Sequence, residues 1–336
     1  QIEALLTRLA AARAPMAALG LVAGAARQAV AAGCRRCGLC LHGCPYGLIW
    51  SAGDQIARLG DNSAFTYRPG AVVIRFEETA AGVTLHLRDG ETLSAPRVFL
   101  GAGVLETARI LLASAPGAAT LTLRDSQHAF LPMLQRWRNR SRPDRGRFHT
   151  LPQVFLELDA PEVSPFLVHA QVYSWNEFYA RDLIQNYARK LPGSAPLFTA
   201  LARRLIVAQL FLHSHHSHRI GLTLAPDGRL RAALEENPET ARIVKAAAGR
   251  IGRAMGHAGL SALAFATRGA APGSSFHVGA SLPMTATPQG AQSDPLGRPA
   301  GLTRLHVVDA TVLPAIPATT ITFPVMANAH RIGALA

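Results

Sequence analysis

The apolar pattern changes its period partway through the first hundred residues. From residue 70, "GAVVIRFEETAAGVTLHLRDGETLSAPRVFLGAG" alternates apolar and polar positions around turn signals at Ala81-Gly82 and Asp89-Gly90. A period of two broken by such turns predicts a small antiparallel meander. The meander ends in "RVFLGAG", a short apolar strand running into glycines, and "VLETARILLAS" continues with helical spacing. A meander joined to a strand–glycine–helix passage places the chain among mixed α/β (α+β) folds.

The rest of the chain is read by the same rules. Residues 1–33 are Ala-rich and read as helix, interrupted near Pro15 and Gly20. Residues 117–150 are turn-rich and polar, which suggests a domain boundary. Strand patterns follow at 153–160, 166–175, 205–215 and 218–226. One helix is expected over 177–190, starting near Asn176. Another is expected over 237–256, where Asn237 caps and Pro238 takes the first helical position. The last seventy or so residues read as loop, strand, loop, helix. They contain "FHVGASLPM" (276–284), "LHVVDATVLP" (305–314) and a helix over 324–333.

A chain of 336 residues with 49% apolar and 16% charged content can bury a large core and fill two domains. Its net charge of +13 raises the question of nucleic acid. The basic residues are nearly all Arg, with Lys190 and Lys245 as the lysines. The densest run, "QRWRNRSRPDRGRFH" (135–149), reads as a solvated loop, so no nucleic-acid partner is expected. The stretch between Arg13 and Arg27 is too short, and too broken by proline and glycine, to span a membrane. The compartment stays open, with cytoplasm as the default.

All four cysteines, Cys34, Cys37, Cys40 and Cys44, fall in one loop, and Pro45 follows. The spacing C-x2-C-x2-C-x3-C-P is that of a ferredoxin loop holding an iron–sulfur cluster, and four thiolates could also hold zinc. In ferredoxins the fourth cysteine of such a run serves a second cluster, and this chain has no further cysteine to complete one. The plainer reading is a compact loop of packed thiols around Gly38, Gly43 and Gly47. "HSHHSH" (213–218) is also rich in potential ligands. Read as a strand, it sends His213 and His215 to one face and His216 and His218 to the other, at a sheet edge.

Three stretches resemble the glucose–methanol–choline (GMC) oxidoreductases, flavoproteins that oxidise alcohols with FAD. "CRRCGLCLHGCPYGLIWSA" is similar to a Cys- and Gly-rich segment of some members. "SAPRVFLGAGVLETARILLAS" is similar to the family's returning strand and helix. "FHVGASLPM…GLTRLHVVDATVLP" is similar to the C-terminal signature H-x-x-G-[ST]-x-x-M, then L-x-V-x-D-[AG]-S-x-x-P. The likeness runs from about residue 33 to the end. Members open with a βαβ unit carrying G-x-G-x-x-G, which seats the FAD pyrophosphate. Nothing here fits it, since "GAGVLE" (101–106) lacks the third glycine. The resemblance therefore implies an N-terminally truncated member that binds FAD weakly by itself. It divides the chain into a partial FAD-binding region (1–116), an antiparallel substrate domain (117–270) and a C-terminal return (271–336).

The resemblance also assigns roles. His277 matches the catalytic histidine, a base for the alcohol proton. The family's second His or Asn falls at Thr320, which can orient a substrate oxygen but cannot act as a base near neutral pH. Thr319 and Thr322 compete for that place. Asp309 and Ala310 match the turn that approaches the flavin. Val73 matches a residue whose backbone meets the adenine, and Ala102 and Gly103 match the turn near the AMP half. The expected function is FAD-dependent oxidation of the CH–OH of a sugar, sterol or long-chain alcohol, with oxygen, a quinone or a cytochrome as electron acceptor. The alternatives are an iron–sulfur/flavin electron-transfer module, with Cys34, Cys37, Cys40 and Cys44 as ligands, and a catalytically incomplete fragment.

Overall fold

The computed structural model describes residues 2–114, 120–137, 150–174 and 193–336. The helix expected over 177–190 and most of the arginine run lie outside the described residues. The fold is mixed α/β with antiparallel sheets, organised as two compact units, each assembled from three segments.

The first unit comprises Gln1–Tyr67, Ala129–Leu210 and Ile243–Gly269. Its seven-stranded sheet runs in the order Leu21–Ala25, Val154–Leu158, Val168–Tyr173, Leu205–Phe211, His128–Gln135 and Leu260–Ala262, with Arg268–Gly269 also pairing His128–Gln135. Six of the seven residues of "LIVAQLF" are buried, as a strand flanked on both sides requires. Helix Glu239–His257 starts where expected. Asn237 Oδ1 accepts the Glu239 amide at 3.0 Å and so caps an otherwise unpaired donor.

Residues 1–33 are not one helix. Helices Ile2–Ala11 and Arg13–Ala17 are followed by strand Leu21–Ala25, which pairs antiparallel with Val154–Leu158. Gly20 ends the helical stretch at φ 75°, where a Cβ would lie 2.2 Å from the Asp159 carbonyl oxygen. "LVAGA" has little strand preference of its own, and the partner strand imposes the extended form.

The second unit comprises Arg68–His128, Phe211–Arg242 and Ala270–Ala336. The expected meander is present as Val73–Glu78, Val83–Leu87 and Thr92–Ala95. Strand Val98–Leu100 then leads into helix Val104–Ser114. The chain returns much later as Leu305–Val307, which pairs parallel with Val98–Leu100. The carboxylate of Glu78 fixes that return by accepting the amides of Thr303, Arg304 and Leu305. A four-stranded sheet runs in the order Leu230–Glu235, Arg219–Leu224, Leu121–Asp125 and Val278–Gly279. Strands Leu121–Asp125 and His128–Gln135 occupy part of the stretch read as turn-rich at 117–150, and the chain passes from one unit to the other there, between His128 and Ala129. The core gathers Phe76, Ile110, Leu111, Leu123, Leu305 and Val312, each contributing about 1.5–3 kcal/mol on full burial. The terminal helix spans Thr322–Leu335.

Candidate active site

His277 stands immediately before the two-residue strand Val278–Gly279, whose partners are Asp125 and Arg124. Its backbone is held on both sides. The His277 amide donates to Ser275 Oγ at 3.1 Å, and its carbonyl accepts the Ser126 amide at 3.0 Å. Its imidazole is 9% exposed and packs on the ring of Phe211, with centroids 5.0 Å apart. An imidazole on an aromatic wall is suited to accept a proton and to deliver it later to water.

The loop carrying His277 is fastened by four residues that the sequence patterns did not single out, Asp125–His128, all buried. Asp125 Oδ2 accepts the Gly273 amide at 3.0 Å. Ser126 Oγ donates to the Leu212 carbonyl at 2.8 Å, and the Gln127 carbonyl accepts the Leu212 amide at 2.9 Å. Gln127 also donates its amide to Ser217 Oγ at 2.8 Å and its side chain to the Ala270 carbonyl at 2.6 Å. Burial pushes the Asp125 carboxyl above its usual range, against the pull of hydrogen bonds from Gly273 and Ser275. Burial likewise lowers the pKa of His128. The available signal was five polar residues, Arg124–His128, between the apolar runs "LTL" and "AFLPML", a pattern that also describes a turn.

Beyond His277 the chain closes on the Asp309–Ala310 turn. The Ala280 amide donates to the Ala310 carbonyl at 2.9 Å, and the Leu282 amide to the Thr311 carbonyl at 2.9 Å. Ala280 holds a left-handed backbone, φ 52°, at the glycine position of H-x-x-G. The Asp309 carboxylate ties this turn to the strand–helix passage. Its Oδ2 accepts the Gly103 amide at 3.0 Å and Thr107 Oγ1 at 2.5 Å, and its Oδ1 accepts the Thr311 amide at 2.9 Å. Gly103, at φ 84°, and Ala102 are exposed. Ala280, Ala310, Leu313, Ile316 and Ile321 form one apolar cluster, with Val104 and Val325 against it. Gly103, Asp309, Ala310 and the His277 loop are thus one bonded assembly. Thr320 is exposed, two residues before the terminal helix, with Thr319 half-buried and Thr322, the first helical residue, exposed. Val73 lies in the meander, and its carbonyl accepts Arg109 Nη2 at 3.1 Å.

"HSHHSH" is not a strand edge. Ser214–His216 form a 3-10 turn, in which the His215 amide donates to His213 Nδ1 at 3.3 Å. The Ser214 amide donates to the Ile316 carbonyl at 2.9 Å, and the Ile316 amide donates to Ser214 Oγ at 3.1 Å. This loop is therefore docked on the segment leading to Thr319 and Thr320. The rings of His213 and His215, placed on one face of a strand by the alternation argument, do meet, stacked at 4.8 Å. Burial, aided by His215, His216 and Arg124, lowers the pKa of His213 from 6.5 to about 4.

In the first unit, Cys34, Cys37, Cys40 and Cys44 line one cavity of about 280 Å³, with Arg35 and Tyr46. All four are free thiols. Among the described residues no three His, Cys, Asp or Glu side chains are grouped so as to hold a metal ion. Amides of Leu48 and Tyr46 hold the Cys44 thiol below its ordinary value. Among the described residues no helix is long and apolar enough to cross a membrane.

Residues 223–329 match a family model described as GMC oxidoreductase, over a stretch that contains the His277 loop, the Asp309 turn and Thr320. The structure is similar to the crystal structure of pyridoxine 4-oxidase from Mesorbium loti. The TM-score is 0.58 at 16% sequence identity, and the match covers 98% of this chain and 69% of that chain. At that identity the likeness shows a shared fold. No curated protein matches the chain. The match to the GMC oxidoreductase C-terminal domain thus spans the histidine loop and the closing turn.

Proposed function

We propose that the chain takes part in FAD-dependent oxidation of the CH–OH group of an alcohol, with His277 as the base. The observation that carries this reading is the bonded assembly of Gly103, Asp309, Ala310 and the His277 loop. The residues suit a flavin at two points. The terminal helix of 14 residues has no side-chain cap at its N-terminus, so the amides of Thr322 and Phe323, ahead of Pro324, are available to an anionic group. The exposed Gly103 turn has nothing within 4 Å of where a Cβ would sit, so a ligand can approach its backbone. When bound, the flavin supplies the acceptor for the hydride that leaves the alcohol carbon.

The protein's share is the proton and the geometry. His277 takes the hydroxyl proton as the C–H bond breaks and the carbonyl forms. Phe211 packs on its ring, and the two bonds at Ser275 and Ser126 hold its main chain in place. Thr320 donates a hydrogen bond to the substrate oxygen. Oxygen, a quinone or a cytochrome would then remove the two electrons. The test is anaerobic mixing of the FAD-loaded protein with a sugar, a sterol or a long-chain alcohol while flavin absorbance is followed. One of these bleaches the flavin, and His277→Ala slows bleaching by about 10²–10⁴-fold with FAD affinity retained. An unchanged rate would remove His277 from the mechanism.

A further inference from the structure

We infer that His128 is a second substrate-orienting histidine of the same site, an inference that rests on the alcohol-oxidation reading. Two imidazoles pack on one aromatic ring, His277 at 5.0 Å and His128 at 5.7 Å from the centroid of Phe211. The neighbour of His277 in sequence closes the group, since Phe276 stacks on His128 at 6.1 Å. Phe276 itself is 77% exposed, whereas His128 beneath it is 5% exposed.

His128 is placed as firmly as His277. Its carbonyl accepts the Ala270 amide at 2.9 Å, and it ends the buried Asp125–His128 stretch that also holds the His277 carbonyl. A neutral imidazole has one nitrogen that donates and one that accepts, so it can hold a hydroxyl oxygen while another base removes the proton. Thr320, the residue expected to complement His277, is exposed and outside this aromatic group. His128 thus shares with Thr320 the holding of the alcohol oxygen while His277 takes its proton. The hydroxyl proton still goes to His277 and the hydride to the flavin, and His128 undergoes no net change. The flanking rings of Phe211 and Phe276 favour an alcohol with an aromatic or other flat apolar body.

Two substitutions separate this role from packing. His128→Phe keeps a ring in the stack and removes the hydrogen bond. His128→Gln keeps an amide donor and acceptor and removes the ring. In the FAD-loaded protein mixed anaerobically with benzyl alcohol, His128→Phe lowers the rate of flavin reduction over the alcohol dissociation constant by about 10–100-fold, the effect of one or two hydrogen bonds. Its thermal midpoint stays that of the wild type, and His128→Gln recovers part of the rate. Equal rates for His128→Phe and wild type would overturn the inference. Wild-type protein that no alcohol reduces would instead count against the alcohol-oxidation reading. In that case ring-labelled histidine resonances decide: benzyl alcohol shifts those of both His128 and His277 if both contact it. A His128 resonance that does not move would overturn the inference.

Discussion

Gly279→Ala is the most severe single-methyl change the signature loop can receive. A Cβ at Gly279 would lie 2.3 Å from the Ala310 oxygen, 2.8 Å from its carbonyl carbon and 2.9 Å from its Cβ. Ordinary contact begins at 3.4 Å, so the Asp309–Ala310 turn must retreat by 3.4 − 2.3 = 1.1 Å. That retreat breaks the Ala280-to-Ala310 bond and strains the Leu282-to-Thr311 bond, both 2.9 Å. Two disrupted buried bonds at about 1–3 kcal/mol each give a loss of roughly 2–6 kcal/mol. One position later the logic reverses. Ala280 already holds φ 52°, so Ala280→Gly relieves strain of about 1–2 kcal/mol. The added freedom of the unfolded chain offsets about 0.4–1 kcal/mol of that gain. Urea denaturation followed by tryptophan fluorescence, together with FAD titration, reads both variants. Gly279→Ala should denature at clearly lower urea and bind FAD more weakly, while Ala280→Gly should match or exceed the wild type. A Gly279→Ala protein within about 0.5 kcal/mol of wild type would refute the close-approach argument.

Acid should weaken the histidine loop. The folded pKa of His213, about 4, lies below its ordinary 6.5, so the unfolded chain binds this proton first. The stability His213 contributes is present above pH 6.5 and is lost as pH falls toward 4. The full shift corresponds to about 3 kcal/mol, and solvent around the half-exposed ring reduces it to about 1 kcal/mol. His213→Asn should flatten that part of the stability–pH curve; an unchanged curve would show that the ring is not the titrating group. Cys44 should alkylate with iodoacetamide at a pH midpoint below that of an ordinary thiol, read by peptide mapping. A midpoint at or above the ordinary value would remove the role given to the Leu48 and Tyr46 amides.

What could be read ahead of the structure depended on how local each signal was. The meander followed from its alternation and its two turns, because partners a few residues apart satisfy each other. The Asn237 start of Glu239–His257 was legible for the same reason, a cap acting two residues ahead. Leu21–Ala25 was not, because its extended form depends on a partner strand that begins only at Val154. "HSHHSH" carried a misleading local pattern. Its alternation suited a strand, yet Ser214 is fixed by Ile316, 102 residues away, and the loop tightens to meet it. Asp125–His128 is the sharpest case. A polar stretch between apolar runs describes an exposed turn as well as a buried hub, and composition cannot choose between them. The choice is made where Asp125 meets the Gly273 amide, 148 residues away, and Gln127 meets the Ala270 carbonyl, 143 residues away. Without those partners the four side chains would have to stay in water, because burying them unpaired would cost several kcal/mol. The bonds that bury the hub are thus the bonds that hold the His277 loop, and a change that frees the loop must also expose the hub.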